Sequence, residues 1–507
     1  MNVLFVYPNS GSQLGFSYGL ASMSSLLKEA GHTVQLMHLC ETLAPLPEKH
    51  EFLKNLQDLN PDIIGWSVVS TQWAYAAKLA GWVKEEMPHI PLVCGGPHVT
   101  MAPYEVLHTG LFDYIFVGEC EEAFRDFVDT YERGEDVTNL PNLGTVLNND
   151  QKVVNPVRPL PDLRRLPPKD YEPFDFQKII NGKNGWVGLM TSRGCPFNCT
   201  YCFNHKMVEK YRNDLNCSFR ELNYIRYESV DRVIGEIRYL LNTYDNIRMF
   251  IFDDDLFTYD KSFVQDFCKA YRENFDVPFV VNGHVAFFDE DRAKALAQAG
   301  CRIVKFGIES GSRRIRDEVM RRRMTNDQIK EAIATVHKYG MHSSTFIMIG
   351  LPYETREDVM ATIRLLAEAQ PGRFRWTYFY PFPGTEAHRM SVEGGFVDED
   401  KLGSLMNFTD DFCLDFGKEQ NLFLQKVGRI MPWFVNAHAG FEASDIYNKK
   451  ISEILELSAE EWAQRSPSLH EEDEALSAQL QQEEKRHYAI KFNPFMGVIS
   501  DYFMNEA

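Results

Sequence analysis

The sequence has no long apolar run and no surplus of positive charge, and each absence excludes a class of function. No stretch of about 18 consecutive apolar residues is present, so we expect no transmembrane helix. The N-terminal segment lacks the basic region and the long apolar core of a secretory signal peptide, which predicts a cytoplasmic protein. The formal net charge of −19 disfavours binding to phosphate backbones, and we expect no nucleic-acid partner.

Length and composition indicate a globular protein with more than one domain. The chain has 507 residues, of which 44% are hydrophobic and 25% are charged, and this is too long for one ordinary core. One short local basic run, Met320–Met324, contains three consecutive arginines. A run this short is typical of a solvated helix end, and we interpret it in that way.

Residues 1–138 alternate between buried-strand and amphipathic-helix patterns, which predicts a parallel sheet with helices on both faces. This α/β arrangement is Rossmann-like, of the flavodoxin type, and such folds bind ligands at the carboxyl ends of their strands. The loops expected there are rich in glycine and serine: SVVST at 67–71, GGPH at 95–98 and GECEE at 118–122. The predicted strands are Val3–Val6, Thr33–Leu39, Asp62–Val68, Pro91–Cys94 and Asp113–Val117.

Three further segments follow along the chain. Residues 139–180 contain seven prolines and predict an extended linker with one hairpin. Residues 181–395 resume the alternation, and their six strand–helix units predict a partial, TIM-like (β/α)6 barrel with its active site at the strand C-termini. Residues 396–507 predict a mostly helical C-terminal region. The predicted barrel strands are Trp186–Thr191, Arg248–Phe252, Phe279–Asn282, Ile303–Ile308, Ser343–Ile349 and Arg375–Tyr380.

Three of the ten cysteines lie together in the loop after the first predicted barrel strand. Cys195, Cys199 and Cys202 have the spacing C-x3-C-x2-C, which lets three thiolates hold one face of a small metal cluster. Complete capture of a four-iron cluster takes four cysteines, so three leave one iron open to a small molecule. Two alternatives are a zinc site, for which His205 does not supply the usual paired spacing, and a disulfide, which a reducing compartment disfavours.

The cysteine loop, with Tyr201 before its last cysteine, resembles the signature of the radical S-adenosylmethionine (SAM) superfamily. In that family a 4Fe-4S cluster binds SAM at the open iron and cleaves it to a 5′-deoxyadenosyl radical, which abstracts hydrogen from the substrate. The resemblance implies that Cys195, Cys199 and Cys202 hold the cluster. It also implies an electron donor such as a flavodoxin or ferredoxin, while the protein supplies orientation and excludes water.

Segments at the ends of later predicted strands resemble the SAM-contacting segments of the same family. They are FDDD at 252–255, GIESGS at 307–312, IMIGLP at 347–352 and YPFPGT at 380–385. FDDD departs from the Gly-Gly-Glu stretch of many members. The residues that the resemblance assigns to SAM are Tyr201, Asp253, Asp254, Glu309, Ser310, Gly350 and Tyr380.

Residues 1–138 resemble the cobalamin-binding domain that precedes the barrel in the largest subgroup of this family. The matching segments are PDIIGWS at 61–67, GGPH at 95–98 and DYIFVGE at 113–119. The D-x-H-x-x-G motif that supplies a cobalt ligand in many corrinoid carriers is missing, and we interpret His38 as structural. The alternative is a Rossmann-like domain that has lost its cofactor. The residues that the resemblance assigns to cobalamin are Ser67, Ser70, Gly95, Gly96, His98, Gly118 and Glu119.

Together these resemblances imply a cobalamin-dependent radical SAM methyltransferase that methylates an unactivated carbon of a small-molecule substrate. One SAM would methylate the cobalamin, and a second would generate the radical that activates the substrate. A relay of this kind needs the methyl carrier within reach of that radical. Two alternatives remain open: a cobalamin-binding radical SAM enzyme that performs a non-methylating oxidative cyclisation or rearrangement, and a non-catalytic corrinoid or Fe-S carrier.

Overall fold

The computed structural model describes residues 1–12, 14–398, 401–402, 411–493 and 497–501. The chain divides into two compact units. Unit 1 comprises Met1–Asn198, Cys202–Arg248 and Phe382–Thr385, and unit 2 comprises Cys199–Tyr201, Met249–Pro381 and Glu386–Ala507. Among the described residues, no helix combines the length and apolar character needed to cross a membrane.

Unit 1 contains a seven-stranded sheet in the order β2-β1-β3-β4-β5-β6-β7. The first five strands are parallel, and their order is that of flavodoxin-type folds, as the sequence predicts. The last two strands form an antiparallel hairpin from the proline-rich segment. The strands are β1 (Asn2–Pro8), β2 (Thr33–Leu39), β3 (Ile63–Ser67), β4 (Leu92–Gly95), β5 (Tyr114–Phe116), β6 (Leu143–Val146) and β7 (Lys152–Val154).

The helices of this sheet bury one apolar stripe each. In the sixth helix, Ala123, Phe124, Phe127 and Val128 are buried at helical spacing, and acidic residues occupy the first turn, where the helix dipole favours them. Two short helices begin with prolines at residues 97 and 103, and the first of them starts inside the GGPH segment that the sequence predicts as a loop. The helices are α1 (Tyr18–Glu29), α2 (Lys49–Leu59), α3 (Trp73–Glu86), α4 (Pro97–Met101), α5 (Pro103–His108) and α6 (Glu121–Glu132).

The remainder of unit 1 leads into and out of the cysteine loop. Strand β8 (Trp186–Leu189) precedes the loop, and the short strand β9 (Ser192–Arg193) pairs antiparallel with β10 (Arg226–Tyr227) at its base. Tyr211 and Tyr224 from this part are buried in the same apolar core as β1, β3 and β4. The helices are α7 (Phe176–Gly182), α8 (Phe203–Leu215), α9 (Phe219–Leu222) and α10 (Val230–Thr243).

Unit 2 contains five parallel strands that are neighbours in chain order. They are β11 (Met249–Phe252), β12 (Phe279–Gly283), β13 (Cys301–Glu309), β14 (His342–Ile349) and β15 (Arg373–Tyr378). All six predicted barrel strands are therefore strands, with β8 assigned to unit 1. The helices are α11 (Lys261–Asn274), α12 (Glu290–Gln298), α13 (Asn326–Lys338), α14 (Arg356–Ala369) and α15 (Glu386–Glu393).

Side-chain caps fix where these helices begin. Asp260, Asp289, Thr325 and Thr355 each accept the backbone N–H three residues along, at the starts of α11 to α14. Such a cap satisfies a donor that the first turn of a helix leaves without a partner. The caps thus fix where the turn after each strand ends and the next helix begins. These turns include segments that the resemblance assigns to SAM.

In its described residues, the C-terminal region is mostly helical. Its helices are Lys418–His438, Ser444–Glu456, Ala459–Arg465 and Leu469–Gln482. A hairpin, β16 (Ala489–Asn493) and β17 (Gly497–Asp501), then adds antiparallel to β15 and extends the sheet. The sequence pattern did not indicate these strands, because their pairing depends on a sheet edge built by distant residues.

Candidate functional site

Except for Tyr201, which lies in the cysteine loop, the residues that the resemblance assigns to SAM lie at the carboxyl ends of parallel strands in unit 2. Asp253 and Asp254 follow β11, Glu309 ends β13, Gly350 follows β14, and Tyr380 comes two residues after β15. Because these strands are parallel, their ends share one edge of the sheet. The topology therefore collects residues that are more than 100 residues apart in the chain at a single edge.

Two of these residues, Asp254 and Ser310, form hydrogen bonds that stabilise the turns after their strands. Asp254 is fully buried, and its carbonyl accepts a hydrogen bond from Asn282 Nδ2 at 3.0 Å. Ser310 is also fully buried, and its hydroxyl accepts from Ser312 N–H at 3.2 Å. The Arg316 guanidinium donates to the Ser310 carbonyl at 2.5 Å. Both residues thus hold the shape of the turns after their strands.

The cysteine loop presents its three thiols in different environments. Cys199 is buried, whereas Cys195 and Cys202 are half-buried, and no disulfide joins any of the ten cysteines, all of which are described. Within the described part of the chain, no three His, Cys, Asp or Glu side chains converge as around one metal ion. A cluster does not require such convergence, because each thiolate binds a different iron.

Arg322 is a site residue that the sequence analysis missed. Its Nη1 donates to Cys199 Sγ at 3.6 Å, and its Nε donates to the Gly307 carbonyl at 3.0 Å. The interpretation of Met320–Met324 as a solvated run is thus wrong for Arg322, although Arg321 and Arg323 are exposed. The reason is backbone geometry: Arg321 has a φ of 51°, so the chain turns at this residue and Arg322 faces the interior.

Tyr201, Glu309 and Arg322 form one electrostatic group with Cys199. Burial raises the pKa of Glu309, and this outweighs the charge of Arg322 and the hydrogen bond that Tyr201 donates, both of which lower it. Burial lowers the pKa of Arg322, but Tyr201, Glu309 and Cys199 raise it by more, so the guanidinium stays charged. Two of the residues that the sequence assigns to SAM, Tyr201 and Glu309, are therefore in contact.

Glu354 is a second residue that the sequence analysis missed. Its side chain is buried, and one carboxyl oxygen accepts the backbone N–H groups of Gly350 at 2.6 Å and Leu351 at 3.3 Å. Burial raises the pKa of this carboxyl to about 8, against the two N–H donors that lower it. Glu354 thereby fixes the turn after β14. In the sequence, a glutamate four residues after the glycine that follows a predicted strand could have indicated this contact.

Replacing Glu354 with glutamine should make stability less dependent on pH. A raised pKa means that the stabilising contribution of Glu354 is complete below pH 4.5 and is lost as the pH rises through about 8. Glutamine keeps the acceptor and does not ionise. We expect Glu354→Gln to gain stability relative to the parent between pH 6 and 8, by on the order of 1 kcal/mol per pH unit.

Melting temperatures of the apo-protein at several pH values measure this difference. Glu357→Gln, at an exposed position on α14, is the matched control and should show no pH-dependent difference from the parent. A constant difference between Glu354→Gln and the parent across this range would contradict the role assigned to the buried carboxyl.

The residues that the sequence assigns to cobalamin lie at the strand ends of unit 1. Ser67 ends β3, Gly95 ends β4, and Gly118 and Glu119 follow β5. A narrow cleft of about 30 Å³ opens at this edge. It is lined by residues of β1, β3, β4 and β5 and of helices α1 and α6, and it extends to the point where the strand order reverses, the usual ligand position in such folds. Residues lining the cleft include Phe5, Gly65, Ser67, Gly95, Gly96 and Cys120.

Ser70, Gly96 and His98 form one arrangement beside the cleft. His98 is buried, with its Nδ1 at 3.2 Å from Ser70 Oγ and its ring centroid at 4.6 Å from that of Trp73. Burial lowers the pKa of His98 to about 4, so the ring is neutral at pH 7. His38 also has a pKa lowered to about 4 by burial, and its ring lies 4.8 Å from that of Tyr7. Both ring nitrogens of His38 are buried without a hydrogen-bond partner among the described residues, and its structural role stays a prediction.

Gly96 cannot be replaced without moving backbone. It has a φ of 99°, and a Cβ there would lie 2.7 Å from the backbone N and O of Val68. At Gly95 a Cβ would meet nothing closer than 3.7 Å. We expect Gly96→Ala to lower the free energy of unfolding by roughly 1–3 kcal/mol, whereas Gly95→Ala should change it little.

Urea unfolding of both apo-variants tests this expectation, and cobalamin titration followed by absorbance tests its consequence for the cleft. Gly96→Ala should weaken cobalamin binding together with stability. Equal stability of the two variants would show that the turn at Gly96 tolerates a side chain and that the close approach to Val68 is not a constraint.

Glu119 is held by two arginines in unit 1. Its carboxylate accepts from Arg193 Nη1 at 2.7 Å and forms two contacts with the Arg226 guanidinium. Burial raises the pKa of Glu119, but the two arginines lower it by more, so it stays charged. Arg193 also donates to Glu121 at 2.6 Å and directly precedes Gly194 and the cysteine loop. The backbone N–H of Glu119 donates to Tyr211 Oη at 2.8 Å, so its carboxylate and its N–H both have partners within unit 1.

Removing Glu119 should destabilise the base of the cysteine loop. Glu119→Ala leaves the buried Arg226 without its carboxylate partner, and we expect a loss of about 3 kcal/mol. Glu122→Ala is the control, because Glu122 forms only a half-exposed ion pair with Arg158 and should cost less than about 1 kcal/mol. Urea unfolding measures both, and similar losses would show that the buried ion pairs do not anchor the loop.

Fold and site together define a two-part α/β protein: a flavodoxin-type domain with a ligand cleft, followed by a barrel-type domain introduced by a three-cysteine loop. The chain matches the B12 binding domain over residues 10–128 and the radical SAM superfamily over residues 189–366. An uncharacterized methyltransferase of Pyrococcus horikoshii, PH0819, is 32% identical over 405 residues, which cover 77% of this chain and 83% of that protein. The chain belongs to the radical SAM superfamily and is an enzyme of its B12-binding group.

Other similar proteins differ in their named reactions. The anaerobic magnesium-protoporphyrin IX monomethyl ester cyclase of Rubrivivax gelatinosus is 25% identical over 76% of this chain and 68% of its own length. The solved structure of the cobalamin-dependent SAM radical enzyme OxsB, with aqua-cobalamin and SAM bound, gives a TM-score of 0.67 at 15% identity. That match covers 95% of this chain and 75% of OxsB, and it shows a shared fold. The predicted fold class is confirmed.

The residues present fit the groups that this family uses. Three thiols outside any disulfide are the donor set of an iron–sulfur cluster with an open iron. In unit 1, Gly95 lines the cleft, and no atom lies closer than 3.7 Å to the position of a Cβ there, so its backbone is accessible to a cofactor. Trp66 also borders the cleft, but its ring packs near Phe52 and Phe112 in the apolar core, so its buried Nε1 is not a donor to the cleft. A 4Fe-4S cluster, SAM and cobalamin are therefore the cofactors of this protein.

Proposed function

We propose that the protein is a cobalamin-dependent methyltransferase that acts on an unactivated carbon of a small molecule. The observation that carries the proposal is that one chain combines a C-x3-C-x2-C loop with a cleft at the flavodoxin-type switch point. The 32% identity to a methyltransferase over 83% of that relative supports methyl transfer as the reaction.

We assign the cluster to Cys195, Cys199 and Cys202, and the SAM site to the strand edge of unit 2 that carries Tyr201 and Glu309. When bound, the cluster supplies the electron that cleaves SAM, and cobalamin supplies the carrier for the methyl group. The contact between Tyr201 and Glu309 fixes the position of a carboxylate at this edge. The bonds from Glu354 hold the Gly350 turn in place before any ligand arrives.

The cobalamin site is assigned to the cleft of unit 1, with Ser67, Gly95 and Gly96 on its lining and Ser70 and His98 beside it. Neutral His98 and the Ser70 hydroxyl offer hydrogen bonds without adding charge. The glycines keep the backbone accessible. We assign Gly118 to the same edge, where its N–H donates to Thr100 Oγ1 at 3.0 Å.

The experiment is an anaerobic incubation of the reconstituted protein with cobalamin, a chemical reductant and SAM whose methyl group carries deuterium. Small-molecule extracts serve as the source of substrate. We expect 5′-deoxyadenosine, S-adenosylhomocysteine and a product that is heavier by one deuterated methyl group. Each of Cys195→Ala, Cys199→Ala and Cys202→Ala should abolish 5′-deoxyadenosine. Cys217→Ala, at a half-buried cysteine outside the triplet, should leave it unchanged.

A second candidate is oxidative cyclisation, which the similarity to the Rubrivivax cyclase favours. The same incubation separates the two, because cyclisation removes hydrogen from the product and transfers no deuterium. A product without deuterium, formed together with 5′-deoxyadenosine, contradicts methyl transfer and supports cyclisation. Failure to form 5′-deoxyadenosine with cluster and substrate present contradicts both radical reactions.

A further inference from the structure

The guanidinium of Arg322 lies directly against one of the cysteines assigned to the cluster. Its Nη1 is 3.6 Å from Cys199 Sγ, and its Nε and Nη2 both donate to the carbonyl of Gly307 in β13. A Cβ at Gly307 would overlap the Glu309 carboxylate and approach Arg322, so glycine leaves the space that this arrangement occupies. The planar guanidinium donates to the Gly307 carbonyl and to the Cys199 sulfur at the same time.

The backbone also fixes Arg322 relative to Cys199. Thr200, the next residue after Cys199, donates its hydroxyl to the carbonyl of Val319 at 2.6 Å and its N–H to that of Met320 at 3.1 Å. Arg322 itself donates its N–H to the carbonyl of Arg316 at 2.7 Å. Two hydrogen bonds from Thr200, the neighbour of Cys199, thus hold the cysteine segment against the segment that carries Arg322.

We infer that Arg322 raises the reduction potential of the cluster by donating a hydrogen bond to Cys199. Adding an electron makes the cluster and its thiolates more negative by one charge. A fixed positive charge and a hydrogen bond to a ligating sulfur favour that state, and both are recognised means of setting the potential of an iron–sulfur cluster. The inference rests on the proposed ligation by Cys199, and it gives Arg322 a tuning role that the neighbouring arginines do not share.

Potentiometric titration followed by electron paramagnetic resonance tests the inference on the reconstituted protein without SAM or substrate. For Arg322→Gln we expect the ratio of reduced to oxidised cluster at a fixed potential to fall about tenfold, which for one electron is about 59 mV. Arg321→Gln and Arg323→Gln are matched controls in the same run of three arginines. Both side chains are exposed, and neither variant should change the potential.

A vibrational measurement separates tuning from a general structural effect. Loss of the hydrogen bond should shift the Fe–S(Cys) stretching bands in resonance Raman spectra of Arg322→Gln, and those of the two controls should stay unchanged. A potential and a spectrum for Arg322→Gln that equal those of the controls overturn the inference. This outcome leaves the proposed methyl transfer intact, since neither measurement involves turnover.

If Arg322→Gln does not bind the cluster, the reduction potential of Arg322→Lys tests the inference instead. Lysine keeps the charge but cannot span the Gly307 carbonyl and the Cys199 sulfur with a planar group. A potential for Arg322→Lys below that of the controls supports the inference, and an unchanged potential overturns it. Iron and sulfide content of every sample confirms that the variants carry equal amounts of cluster.

Discussion

Parallel strands joined by right-handed crossovers bring all their carboxyl ends to one edge of a sheet, and both units of this protein depend on that constraint. In unit 1 the constraint places Ser67, Gly95 and Gly118 at the edge that carries the cleft. In unit 2 it places Glu309 and Gly350 at the ends of adjacent strands. Without parallel pairing, residues this distant in the chain would not share a ligand site.

At each edge, buried charges are paired before any cofactor binds. Glu119 lies between Arg193 and Arg226 in unit 1, and Arg322 lies beside Glu309 and Cys199 in unit 2. A buried charge without a partner is costly, so these pairs stabilise the loops that carry them. The same ion pairs also determine the charge around the loops that carry the candidate ligand sites. The same side chains therefore have a structural role and a functional role.

Much of the fold was predictable because each element carries a local pattern. Strands such as Thr33–Leu39 and helices such as Trp73–Glu86 have the bounds that their apolar periodicity indicates. The hairpin of β16 and β17 was missed because strand pairing with β15 is a long-range interaction. Arg322 was missed for a similar reason: in the sequence it is one of three arginines, and only the turn at Arg321 sets it apart.

The sequence by itself determined which chemistry is present: the spacing of Cys195, Cys199 and Cys202, and the glycine-rich ends of the predicted strands. Residue type and spacing suffice for this, because thiolate chemistry and close backbone approach depend on local composition. Only the tertiary structure decided what surrounds these groups. The contacts of Cys199 with Arg322, of Gly350 with Glu354 and of Glu119 with its arginines depend on how separate segments pack, and no local pattern encodes those distances.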